Sequence, residues 1–209
     1  MSFIDSNPRL AWAQAYETGM RTQAAADMEE AGCKVQTSGI KGGGGYNDHY
    51  VPVYSAICRM EQSEDSQQRL LASIGHWLSL NDTGEANQHI DIVAEAVLGQ
   101  FIALTSQWAQ YRKARKQRVE ALIVARLMQD RDNVDGERPP KQPREICHYT
   151  REYLGIKIVS DNWKQDGWDK VWLLLGEIIK RYEDEAMEPV MEATYHANRE
   201  MRNFLLNAA

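Results

Sequence analysis

The chain has little sulfur or imidazole chemistry to offer. Only three of its 209 residues are cysteine: Cys33, Cys58 and Cys147, far apart and never in a CxxC pair. That spacing excludes a disulfide framework and a recognisable zinc site, and leaves buried thiols as the expected role. The five histidines are equally scattered, with no HExxH motif. No GxSxG, paired His–Cys arrangement or carboxylate–metal motif occurs, so the residues predict no enzyme and no cofactor. No apolar run reaches the ~20 residues that cross a bilayer. The first residues, MSFIDSNPRLAW, lack the basic start and apolar core of a secretory signal. A cytoplasmic protein without a membrane partner is expected. Strand signals are nearly absent, and the predicted fold is all-α.

What the sequence does have is charge, unevenly placed. The net charge is −6. Residues 1–103 hold 6 basic and 13 acidic side chains, residues 104–164 hold 13 and 8, and residues 165–209 hold 5 and 9. A positive middle segment therefore lies between two negative flanks. Its densest part is Gln107 to Val119, QWAQYRKARKQRV, where Arg112, Lys113, Arg115, Lys116 and Arg118 stand without an acid among them. Such a run is either a solvated helical surface or a set of phosphate contacts giving sequence-independent, salt-sensitive affinity. Trp108 and Tyr111 suit either a core or a sugar. The clusters Asp27-Glu29-Glu30, Glu61-Glu64-Asp65 and Glu183-Asp184-Glu185 read as solvent-facing helix surface.

The positive run leads into a three-helix pattern. Val119 to Asp130 is strongly helical, and Asp132 to Pro143 is a proline-rich loop. From Arg144 to Leu154, Ile146, Tyr149, Tyr153 and Leu154 recur at helical spacing as one buried face. Gly155 sits where a helix ends in the left-handed region, with Ile156 and Ile158 anchoring the turn. Ser160 or Asp161 would cap a further helix running to about Tyr182. It would bury Trp168, Val171, Trp172, Leu175 and Ile179 and leave Asn162, Lys164, Gln165 and Lys170 on its open side. This is the pattern of a helix–turn–helix that places one helix in the major groove of duplex DNA, or of a plain αα-hairpin.

Elsewhere a helix is expected from Pro8 to about Ala31. Further helical runs are expected from Val51 to Leu80, broken by a polar stretch at Gln62–Gln68, and from Glu85 through Leu104. Gly42 to Gly45, within SGIKGGGGYNDH, form either a surface loop or a backbone cradle for phosphate with Lys41, Tyr46 and His49. No Lys-Ser/Thr pair follows the glycines. Pro189 would kink or restart the last helix. The stripe Met187, Val190, Met191, Tyr195, Met201, Phe204 and Leu205 suits packing on the core or pairing with a second copy as a homodimer. Residues 1–104 are read as an acidic helical domain with the glycine loop at 38–49. Residues 105–182 are read as the basic helix–turn–helix unit, and 183–209 as a C-terminal helix.

The segments VEALIVARLMQDR, PREICHYTREYLGI and SDNWKQDGWDKVWLLLGEII resemble the final DNA-binding unit of sigma-factor-like (region 4) and phage late-gene proteins. With SGIKGGGGYNDH upstream, the layout of residues 39–190 is similar to that of the late-gene antitermination proteins of the Q type. The paired CxxC cysteines of that group's zinc-bearing members are missing here. The resemblance implies binding near a phage late promoter and engagement of bacterial RNA polymerase, with Asn162, Lys164 and Gln165 as base-reading side chains.

Overall fold

Every regular element among the described residues is helical, which is what the three- and four-residue apolar spacing predicts. The computed structural model describes residues 3–16, 50–80, 84–134, 139 and 141–207. The glycine loop with Lys41, Tyr46 and His49, the cysteine at Cys33, and the expected continuation of the first helix beyond residue 16 lie outside them. Residues 8–16 form α1, Val51–Glu61 α2, Ser66–Ser79 α3, Gly84–Asn87 α4 and Ile90–Leu104 α5. Lys113–Arg131 form α6, Pro143–Leu154 α7 and Trp168–Asn207 α8. None of the described helices is long and apolar enough to cross a membrane.

The chain packs as two units, Met1–Ala72 with Ala186–Ala209, and Ser73–Glu185. One boundary falls inside α3 and the other inside α8, whereas the charge pattern and the helix–turn–helix reading suggest divisions near 104 and 182. Charge reports the surface, and packing follows the apolar stripes.

In the first unit, Asn7 caps α1 by accepting the Arg9 backbone N–H at 3.0 Å. Trp12, Val53, Ile57, Met187 and Val190 are buried. Asp65 restarts the chain at α3 by accepting the Gln67 N–H at 2.9 Å, so the polar break spans only 62–65. Helix α8 runs uninterrupted through Pro189 rather than restarting there. The C-terminal apolar stripe is divided: Met187 and Val190 are core, while Met191, Tyr195, Phe204 and Leu205 are exposed.

In the second unit, the end of α3 and the residue after it complete a run of ten consecutive buried residues, 71–80, of which 73–80 belong here. The run expected from Glu85 is split into a single turn, α4, and α5. Val93, Val97 and Phe101 bury one face of α5, but Ile102 and Leu104 remain exposed. The cationic stretch does not continue that helix. Thr105 takes an extended conformation, a 3-10 turn covers Trp108–Gln110, and α6 begins at Lys113. Helix α7 opens with Pro143 in its first turn and a capping box between Gln142 and Glu145. Its buried face is Ile146, Cys147 and Thr150, not the expected tyrosine face. Tyr153 is 74% exposed, and its ring lies 4.9 Å from that of Tyr149. Gly155 ends α7 at φ 68°, and the Ile156 N–H reaches back to the Thr150 carbonyl at 2.9 Å. Cys58 and Cys147 are free thiols, and burial pushes both above the ordinary thiol range.

The largest difference lies between α7 and α8. No helix starts at Asp161. A 3-10 turn covers Ser160–Asn162, a second turn follows, and α8 begins at Trp168. Trp163 is buried and pins this connection, its ring edge-to-face with Trp172 at 6.3 Å. Gly167, at φ 74°, lets the Trp168 N–H bond the Trp163 carbonyl at 2.9 Å. A side chain at that φ would be strained. Beyond it Trp168, Val171, Trp172, Leu175 and Ile179 are buried, as their spacing predicts. Gly176 leaves room for a crossing side chain. A Cβ there would meet the Arg126 guanidinium at 2.7–2.9 Å, and that group lies 5.2 Å from the Trp172 ring centre while holding Asp130 through Nε.

Candidate nucleic-acid interface

The start of α6 is an electrostatic anomaly. A helix N-terminus carries about half a positive charge, so cations in the first turn are unfavourable by roughly 0.3–1 kcal/mol each at low salt. Here Arg112 is the N-cap residue, Lys113, Arg115 and Lys116 fill the first turn, and no acid offsets them. Arg112 and Lys113 are exposed, and Arg118 is half-buried. None of these three makes an ion pair among the described residues. Several other cations of the same unit are matched, while Arg144, Lys157, Lys164 and Lys170 make no ion pair among the described residues. Arg126 pairs with Asp130 at 2.9 Å, Lys180 with Asp184 at 2.9 Å and Arg181 with Glu185 at 3.2 Å. The bond to Asp184 holds the Lys180 amine above its ordinary value.

Aromatic rings hold the rest of the segment in place. Arg115 lies between two of them, 4.8 Å from the Tyr111 ring centre and 4.5 Å from that of Trp168. Its terminal nitrogen donates to the Asp166 carbonyl at 3.0 Å. Lys116 sits 5.1 Å from the Trp108 ring centre, and Trp108 in turn meets Phe101 edge-on at 6.0 Å and Tyr111 at 5.7 Å. Trp108 and Tyr111 are therefore packing partners for cations of their own segment.

The Arg115 guanidinium, half-buried, is engaged by two rings and a carbonyl. In that role it fixes the start of α6 beside the turn leading into α8, so the cationic segment and the turn bearing Asn162, Lys164 and Gln165 share one end of the unit. All three of those side chains are exposed, but they stand on a turn and not on a helix. The same end also carries Lys170 and the carboxylates of Asp161, Asp166 and Asp169, so the turn is mixed in sign and the excess of cations belongs to residues 112–118. The positions that α8 itself exposes in its first two turns are Lys170 and Leu173, a poor set for reading base edges.

Replacing Arg115 by Ala should lower unfolding free energy by about 2 kcal/mol, from the lost ring contacts and the charged hydrogen bond. Arg112→Ala should stay within about 0.5 kcal/mol. Urea denaturation of the two variants checks the contrast, and equal effects would contradict it.

No group of three or more His, Cys, Asp or Glu side chains among the described residues is arranged to hold a metal ion. Compared with protein-family models, with curated proteins and with solved structures, the chain finds no match.

Proposed function

We propose that this chain is a DNA-binding transcription regulator of the phage type. In this reading Arg112, Lys113, Lys116 and Arg118 hold the phosphates of double-stranded DNA, and the exposed turn with Asn162, Lys164 and Gln165 lies against the adjoining groove. The observation that carries it is the acid-free first turn of α6, where unmatched cations are gathered at the positive end of a helix. A polyanion relieves that repulsion, and DNA phosphates are the dense anion that helix ends and arginine accept. Action on RNA polymerase as a late-gene antiterminator of the Q type rests on the sequence resemblance alone. No catalytic chemistry enters the proposal.

Fluorescence anisotropy with a labelled 20-base-pair duplex tests it. Four phosphate contacts imply a log–log salt slope of about −3.6, hence about a hundredfold loss of affinity between 50 and 200 mM salt. No binding at 50 mM salt, or binding indifferent to salt, would dismiss the proposal. A second reading, a helical assembly module without DNA binding, is favoured by the exposed Phe204, Leu205 and Leu206 at the end of α8. It is the reading left if DNA binding fails and sedimentation shows a dimer.

A further inference from the structure

We propose that the first unit holds a separate site for a small phosphate-bearing ligand, in a cavity of about 400 Å³ beside the C-terminal part of α8. Its volume falls within the range of small-molecule sites. Arg199 and Arg202, one helical turn apart, line it together with Thr194, Tyr195, Asn198 and Ser6. No carboxylate is among its lining residues. Neither arginine forms an ion pair among the described residues. Two guanidinium forks at this spacing offer a phosphate more donors than one carboxylate uses, and the fork matches phosphate oxygens in pairs.

The walls are built rather than incidental. Asn198 accepts the Ile4 N–H at 2.9 Å and returns its own amide N–H to the Ile4 carbonyl at 3.0 Å. That double bond pattern holds the segment before α1 against α8. The guanidinium of Arg202 sits 5.7 Å from the Phe3 ring centre, which fixes its direction. Helix α1 begins at the rim, where Pro8 lines the cavity. Its Arg9 N–H is already taken by Asn7, so the helix contributes its positive field more than its donors.

Thr194 lines the cavity but is only 7% exposed, and its Oγ1, which has no hydrogen-bond partner, is closed off from solvent. Tyr195, 63% exposed, adds a ring face on the same wall. The ligand therefore combines a phosphate with a flat apolar portion, at about the size of a nucleoside monophosphate. The site shares no residue with the Arg112–Arg118 segment.

Isothermal titration of the full chain with AMP, adenosine and inorganic phosphate tests this. AMP should bind saturably at one per chain, and adenosine at least tenfold more weakly. The double variant Arg199→Gln/Arg202→Gln should lose about a hundredfold in AMP affinity, at about tenfold per charged contact. Any one of three results overturns the site: no saturable heat with AMP to 10 mM; unchanged affinity in the double arginine variant; or AMP binding lost on changing Arg112 and Lys113 instead. None of these depends on whether the second unit binds DNA.

Discussion

The quadruple variant Arg112→Gln/Lys113→Gln/Lys116→Gln/Arg118→Gln should bind duplex DNA about a thousandfold more weakly than the parent at 0.1 M salt. Each phosphate contact contributes about 0.9 to the log–log salt slope, so four lost contacts remove nearly the whole of it. The variant should remain folded. Arg112 and Lys113 are exposed, and only Lys116 has a ring partner, at 5.1 Å from the Trp108 centre. Removing cations from a helix N-terminus is itself favourable, so its melting temperature should match or exceed that of the parent. Anisotropy titrations at three salt concentrations, read beside a circular dichroism melt, check both halves. A variant that melts normally and binds DNA like the parent would remove the cationic segment from the interface.

Arg131→Met should destabilise the protein by about 3 kcal/mol and lower its melting temperature by about 10 °C. The side chain is 7% exposed, and its partners among the described residues of the second unit include Leu80, Asn87 and Trp77. Its Nε and a terminal nitrogen donate to the Leu80 carbonyl at 3.3 and 3.1 Å, and the other terminal nitrogen to Asn87 Oδ1 at 3.4 Å. The guanidinium also lies 4.4 Å from the buried Trp77 ring centre. Leu80 directly follows α3, where helix carbonyls lack internal partners. Methionine keeps much of the volume but strands that carbonyl in the core. Arg131→Lys keeps the charge without the fork and should fall between the two. Differential scanning calorimetry would contradict this if the methionine variant melted within 3 °C of the parent.

Much of the fold was legible because apolar spacing is read directly from the chain. Trp168, Val171, Trp172, Leu175 and Ile179 repeat on one helical face, and all five are buried. Gly155 announced its left-handed turn in the same way. The start of α8 was missed although its signal was present. Asp166-Gly167 is a turn dipeptide immediately before the first tryptophan of the stripe, whereas Ser160-Asp161 is a cap-like pair that leads only into a 3-10 turn. The tyrosines of α7 misled for another reason. Tyr149 and Tyr153 have helical spacing, but the face that meets the core belongs to Ile146, Cys147 and Thr150, and Thr150 carries no apolar signal.

In the candidate site, the cations were visible from composition, and their division of labour was not. Nothing local distinguishes Arg115 from Arg112. The difference arises from Trp168, over fifty residues along the chain, whose ring takes the Arg115 guanidinium. The functions of Arg131 and Asn198 escaped for the same reason, since each bonds a backbone group far away in sequence. The pairing of Asn198 with Ile4 spans 194 positions.

The acid-free opening turn of α6 has a thermodynamic corollary. Without a bound polyanion, this turn is held against mutual repulsion, which mobile counterions dampen. Added salt should thus firm the free protein at the same place where it loosens a nucleic acid complex. If the proposed DNA complex forms, ionic strength should act on one short segment with opposite sign in its two states, and the segment should fray least when it is either screened or occupied.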